Sequence, residues 1–235
     1  MHSEPSTLLT VLAWISLGLG FGSAVAVLID IFVLGNRQHM WIMEVVYPVT
    51  ALYLGPLLLW FYARHGRETS GGGEDDSGDE EEVRWWHVAK GVTHCGAGCT
   101  LGDIIGEWLI FTTGFSIAIT GSVAAHTLWA DFLVDFALAW GLGILFQYFS
   151  IAPMRDVTVG QGVIQAIKAD TLSIVSFQLG LFAYMALYHL VLWKPPLAVD
   201  TAAYWFMMQI GMIVGFATAY PVNRWLIATG IKERM

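Results

Sequence analysis

Charge is scarce in this sequence. Only 13% of its 235 residues are Asp, Glu, Lys or Arg, against about 25% in a soluble domain. The net charge of −8 is a local feature. Glu74, Asp75, Asp76, Asp79, Glu80, Glu81 and Glu82 supply seven of the 19 acids, and the remaining 12 nearly balance the 11 bases. No basic surface suited to nucleic acid is left. Cysteine is almost absent. Cys95 and Cys99 are the only two and stand four apart, which excludes a disulfide framework, a Cys-x-x-Cys site and a haem-attachment motif. There is no phosphate-binding Gly-rich loop, dinucleotide fingerprint, Gly-x-Ser-x-Gly elbow or His-Glu-x-x-His pair, so the common nucleotide-dependent and hydrolytic chemistries lack their residues. The N-terminus has no basic region ahead of its apolar run, and that run is too long for a signal peptide. We expect it to stay in the mature chain.

What is present is hydrophobic. Apolar residues make up 56% of the chain, 11 residues are Trp, and the mean hydropathy is +0.61. A transmembrane helix needs about 20 mostly apolar residues. Six runs meet that length, at roughly 8–34, 42–62, 92–117, 124–149, 163–193 and 204–227. The expected fold is therefore all-α: a polytopic membrane helical bundle of about six transmembrane helices. It divides into a first pair of helices over 1–66, an acidic disordered loop over 67–84 and a four-helix region over 85–235. Trp85 and Trp86 read as an interfacial anchor. With the acidic loop in the cytoplasm, Arg64, Arg67, Arg84, Lys90, Arg155, Lys168, Arg224, Lys232 and Arg234 fall inside, and only Arg37 and Lys194 fall outside. The positive-inside rule then puts both termini in the cytoplasm of a multi-pass plasma-membrane protein. Gly18 with Gly22, and Gly98, Gly102 and Gly106, recur at a spacing of four, which lets helix backbones approach closely in lipid.

The chemistry-bearing residues cluster in the third run. His94, Cys95 and Cys99 lead into Asp103 and Glu107. The four from Cys95 to Glu107, at steps of four, spread over about 120° of one helix face and about 18 Å of its length. If Gly96 and Gly98 break the helix, the three sulfur and nitrogen donors sit on a turn instead. A carboxylate at mid-membrane costs about 2.5–3.5 kcal/mol on an insertion scale, and such groups mark ion paths and proton relays. Asp131 and Asp135 in the fourth run, and Asp170 beside Lys168 in the fifth, belong to the same class. Asp30 and Glu44 read as solvated helix ends, a reading that Asp170 shares beside its candidacy for the path, and His126 and His189 read as surface imidazoles.

Thiolate and thioether are soft donors that select Cu(I), and imidazole serves several transition metals. His94, Cys95 and Cys99 are the candidate metal ligands, with Met207, Met208 and Met212 as weaker transfer ligands. Met40 and Met43 lie near the same outer end. Thioethers toward an oxidising exterior and thiols toward a reducing cytosol suit a Cu(I) route. Asp103, Glu107, Asp131, Asp135, Asp170 and Lys168 are the candidate ion path or proton relay. The expectation is a membrane protein that transports or delivers a copper ion, or another transition metal, without catalysing a reaction. Its partners would be the lipid bilayer, a metal donor or acceptor protein, and further copies or a larger membrane complex. A thiol/disulfide redox protein, a non-catalytic subunit or assembly factor, and a metal-independent secondary transporter are the alternatives.

The same residues carry a resemblance. Trp41-Ile42-Met43, His94 through Asp103, Gln147-Tyr148-Phe149, Ala152 through Arg155, Lys168 through Ser173, Tyr204 through Gln209 and Tyr220 through Asn223 resemble an uncharacterised prokaryotic membrane family, domain of unknown function 4396. The resemblance spans nearly the whole chain except the acidic loop. It implies a polytopic membrane protein and makes the His-Cys motif a family feature.

Overall fold

The computed structural model describes residues 4–67, 84–114, 127–151, 158–194 and 196–232. Among these, all regular structure is helical. Helix α1 covers Thr7–Phe32, α2 Met43–Leu54, and α3 Pro56–Phe61, which runs on as a π-turn over Tyr62–Gly66. Helix α4 covers Trp85–Thr113, α5 Thr127–Ile151, α6 Val159–Leu187 with a π-helical end over Tyr188–Leu192, and α7 Ala202–Ala228. Hydroxyl residues open several of them. The Ser6 hydroxyl accepts from the Leu9 N–H at 3.3 Å. At α6 the Thr158 N–H donates to the Gln161 side chain at 3.2 Å, one half of a capping box.

Four helices are long and apolar enough to cross a membrane: Thr7–Phe32, Leu128–Ser150, Val159–Leu192 and Ala202–Ala228. Their outward faces carry large apolar side chains such as Leu8, Trp14, Leu133, Leu179 and Val191, all well exposed. Trp41, Trp60 and Trp85 gather at one end of the bundle, and Trp108, Trp129, Trp193 and Trp205 toward the other. Trp side chains favour the membrane–water interface.

Helix α4 is as long as any, at 29 residues, or about 44 Å, but its middle faces protein on all sides. Residues 91–100 are buried without exception. It runs unbroken through Gly96 and Gly98, so the donors lie on a regular helix and not on the turn that a break there would have made. It packs along α5 and against α7, α2 and α6. The glycine spacing explains the α4–α5 contact. Gly98 lies against Gly143, Gly102 against Ala139 and Gly106 against Asp135, and a Cβ on Gly98 would stand 2.6 Å from the Gly143 Cα. One partner number rises as the other falls, so the helices are antiparallel. Helices α6 and α7 pair the same way. There the Ser176 and Thr218 hydroxyls each donate to the other residue's carbonyl at 2.9 Å. The reading of Gly18 and Gly22 as packing residues is corrected: a Cβ on either would meet nothing within 4 Å. The packing glycine of α1 is Gly20, which faces the Leu52 carbonyl.

The second apolar run, 42–62, is not one helix. It breaks at Gly55, whose φ is 54°, and folds back. The Tyr47 and Tyr62 rings lie 5.0 Å apart, whereas a straight helix would separate those residues by about 22 Å. Both ends of the α2–α3 hairpin meet the end of α1. Asp30 there accepts from the Tyr62 hydroxyl at 2.8 Å and pairs with Arg67 at 2.9 Å. Glu44 pairs with Arg37 at 2.7 Å. Neither acid is the free solvated end expected of it. Trp60 stacks on Trp85 at 6.4 Å and so ties the hairpin to the start of α4. The tip reaches only as far as Gly20, midway along α1. The break leaves the Leu52 carbonyl without its helical donor, because the residue four on is Pro56. Gln209 of α7 supplies one, with Nε2 at 2.6 Å, and is itself held by the Ser16 hydroxyl at 2.7 Å.

Candidate functional site

Cys95, Cys99, Asp103 and Glu107 do form one stripe on α4, and all four are buried. Each meets a different surrounding. The Cys95 thiol donates to the Val92 carbonyl at 3.4 Å, and the Asn223 amide of α7 approaches its sulfur at 4.0 Å. Cys99 lies between Cys95 and Asp103 and close to both. Both thiols are free. Gln178 of α6 donates to Asp103 Oδ1 at 2.8 Å, while Oδ2 has no hydrogen-bond partner among the described residues. Glu107 faces the Tyr204 hydroxyl of α7.

The stripe is extended from α5. Asp135 fills the gap left by the missing side chain of Gly106, one turn from Asp131. Asp103, Glu107, Asp131 and Asp135 are near enough to sense each other's charge. In surroundings of low dielectric a proton or a cation must neutralise such a group. Among the described residues the one buried ammonium, Lys232, stands at the Cys95 end and is already engaged. Tyr53, at the tip of α2, lies over Gly96 and near both cysteines, so the hairpin tip closes the stripe from its other side.

The expected donor trio diverges. His94 Nε2 stands 2.6 Å from the Ser150 hydroxyl of α5, and its ring meets Phe146 edge-on, whereas Cys95 faces α7. Adjacent residues on a helix point about 100° apart, and only a break could have brought them together. Among the described residues no group of three or more His, Cys, Asp or Glu is placed to hold a metal ion. The methionines divide too. Met207 accepts from the Tyr184 hydroxyl at 3.3 Å. Met212 accepts from the Thr100 hydroxyl at 3.7 Å and shares with Met208 a mainly apolar cavity of about 270 Å³, lined also by Tyr53, Trp108 and Gln209. His189 is half-buried against Tyr188. His126 and the acidic run lie outside the described residues.

One pairing is corrected. Asp170 was expected beside Lys168, but Lys168 is exposed. The partner is Lys232, whose Nζ lies 2.5 Å from Asp170 Oδ1, both side chains being fully buried. Lys232, Gln178 and Gln209 were missed as site residues. Lys232 lies past the last apolar run, where a lysine reads as a solvated tail. Gln178 and Gln209 were single polar residues within apolar runs, a signal that was there to be weighed.

Residues 84–232 match the family described as domain of unknown function (DUF4396). No curated protein and no solved structure matches. The match takes in α4 to α7 and every residue of the stripe, and the chain belongs to this uncharacterised family.

Proposed function

We propose that this chain is an integral membrane protein that binds a soft cation, Cu(I) before other transition metals, and moves it across the bilayer or hands it to a partner protein. The observation that carries the reading is the α4 stripe: two buried thiols continuing into two buried carboxylates, with Asp135 brought against it. Two thiols four apart on a regular helix offer a soft cation two sulfur donors. Binding releases their protons, and Asp103 is the next group along the stripe. His94 is left out of this ligand set, because its ring turns to Ser150 and Phe146 of α5 while Cys95 faces α7. Met208 and Met212, in the cavity beyond the hairpin tip, serve as approach ligands; Met207 points elsewhere.

The fold-back supports a topology of five crossings, by α1 and α4 to α7, with α2–α3 as a re-entrant hairpin. Irregular backbone at membrane depth is tolerated where protein buries it, as Gln209 and Gly20 do at the tip. Among the described residues Arg37, Arg64, Arg67, Arg84, Lys90, Lys168, Arg224 and Lys232 then belong to the hairpin's end of the bundle, and Lys194 to the other. The positive-inside rule makes the hairpin's end cytoplasmic. The N-terminus lies outside and the C-terminus inside, in place of the six spans and two cytoplasmic termini expected above.

Metal content by elemental mass spectrometry tests the cargo. Protein purified under reducing conditions with Cu(I) supplied should carry close to one copper per chain, and Cys95→Ser/Cys99→Ser should carry almost none. Equal, negligible copper in both would sink the ligand assignment and favour a proton-handling or redox role for the same stripe.

A further inference from the structure

At the Cys95 end of the stripe, three helices build an oxygen cage around one ammonium. Lys232 Nζ donates to Asp170 Oδ1 of α6 at 2.5 Å, to Asn223 Oδ1 of α7 at 2.9 Å and to the Gly91 carbonyl of α4 at 3.2 Å. All three N–H groups are used and the side chain is fully buried. One member of the cage, Asn223, is held by groups other than the lysine. The Ser173 hydroxyl donates to Asn223 Oδ1 at 3.0 Å, and the Asn223 amide donates to the Ala219 carbonyl at 2.9 Å. Asp170 Oδ2 is without a hydrogen-bond partner among the described residues. Lys232 alone arrives from outside the helices. It follows Gly230, whose φ is 71° just past the end of α7, and among the described residues its backbone N–H donates to the Leu226 carbonyl at 3.2 Å, as that of Ile231 does at 3.0 Å.

A buried ion pair is poor value as a structural tie, because desolvating both charges offsets most of their attraction. An apolar pair of the same size would fasten the tail as well. Carboxylate, amide and backbone-carbonyl oxygens are instead the ligands that hard cations take, and backbone carbonyls are those that replace the hydration shell of potassium.

We propose that Asp170, Asn223 and the Gly91 carbonyl form a binding site for a monovalent cation of ammonium or potassium size, that Lys232 is its tethered occupant, and that a free cation takes the site when the tail withdraws. The Asn223 amide also approaches the Cys95 sulfur at 4.0 Å, so withdrawal of the tail opens a space beside that thiol. The proposal does not depend on copper.

The test compares the full chain, Lys232→Gln and Lys232→Gln/Asp170→Asn in detergent, by thermal unfolding in potassium, ammonium or methylammonium chloride against choline chloride at equal ionic strength. Lys232→Gln should gain roughly 3 °C or more with at least one small cation, while the native chain and the double variant gain nothing. A folded Lys232→Gln with no cation-specific gain, or an equal gain in the double variant, would overturn the proposal. Should Lys232→Gln fail to fold, Cys99→Ser with Lys232 intact decides. A small thiol reagent should modify Cys95 several-fold faster in potassium or ammonium than in choline, and equal rates would overturn the proposal.

Discussion

Gln209 shows how much a single side chain can carry in this bundle. Its amide donates to the one carbonyl that Pro56 strips of a helical partner, and its oxygen is held by Ser16. In Gln209→Leu the Leu52 carbonyl stays buried with no donor, which costs about 1–3 kcal/mol. The expected outcome is a thermal midpoint several degrees lower in detergent. Ser16→Ala removes only the residue that holds Gln209 and should cost less than half as much. An equal loss in both would mean that the hairpin tip does not depend on the amide.

At the scale of elements, the seam between α4 and α5 decides where the carboxylates stand. Gly102 lies against the Ala139 backbone and Gly106 against Asp135. A leucine at Gly102 must push the two helices apart, and overpacking of this kind costs roughly 1–3 kcal/mol or more. Gly18→Ala and Gly22→Ala meet open space and should stay within about 0.5 kcal/mol of the native chain. Denaturation of the three variants side by side separates glycines that pack from glycines that only share the spacing. Asp135→Asn keeps the shape of the side chain at Gly106 and removes its charge. It should leave folding intact and copper content unchanged, and slow any proton-coupled movement measured in proteoliposomes.

Along its bundle axis the described molecule is asymmetric, because the two ends of the α2–α3 hairpin lie at the same end of the bundle, and the proposed topology makes that end cytoplasmic. Reporter fusions check this directly. A reporter active only outside should work at the N-terminus and fail at the C-terminus, and cysteines placed near Arg37 and Arg67 should be labelled from the same side. Labelling from opposite sides would restore the second run as a crossing.

Much of this was readable beforehand. Apolar length alone marks α1, α5, α6 and α7 as candidate spans. A spacing of four puts Cys95, Cys99, Asp103 and Glu107 on one face, because a regular helix leaves no other choice. Even the glycine seam of α4 is visible as a repeat. Three things were settled only by tertiary structure. Pro48, Gly55 and Pro56 permit a kink or a reversal alike, and the contact of Tyr47 with Tyr62 selects reversal. Helical periodicity orients a side chain about its own axis but does not say which neighbour stands there, so His94 turned to α5 while Cys95 turned to α7. A buried charge takes whichever partner the fold delivers, and for Asp170 that was Lys232, 62 residues away, over Lys168 two residues before it. Periodicity and composition are properties of single helices; the pairing of charges and the reversal of a chain depend on contacts between them.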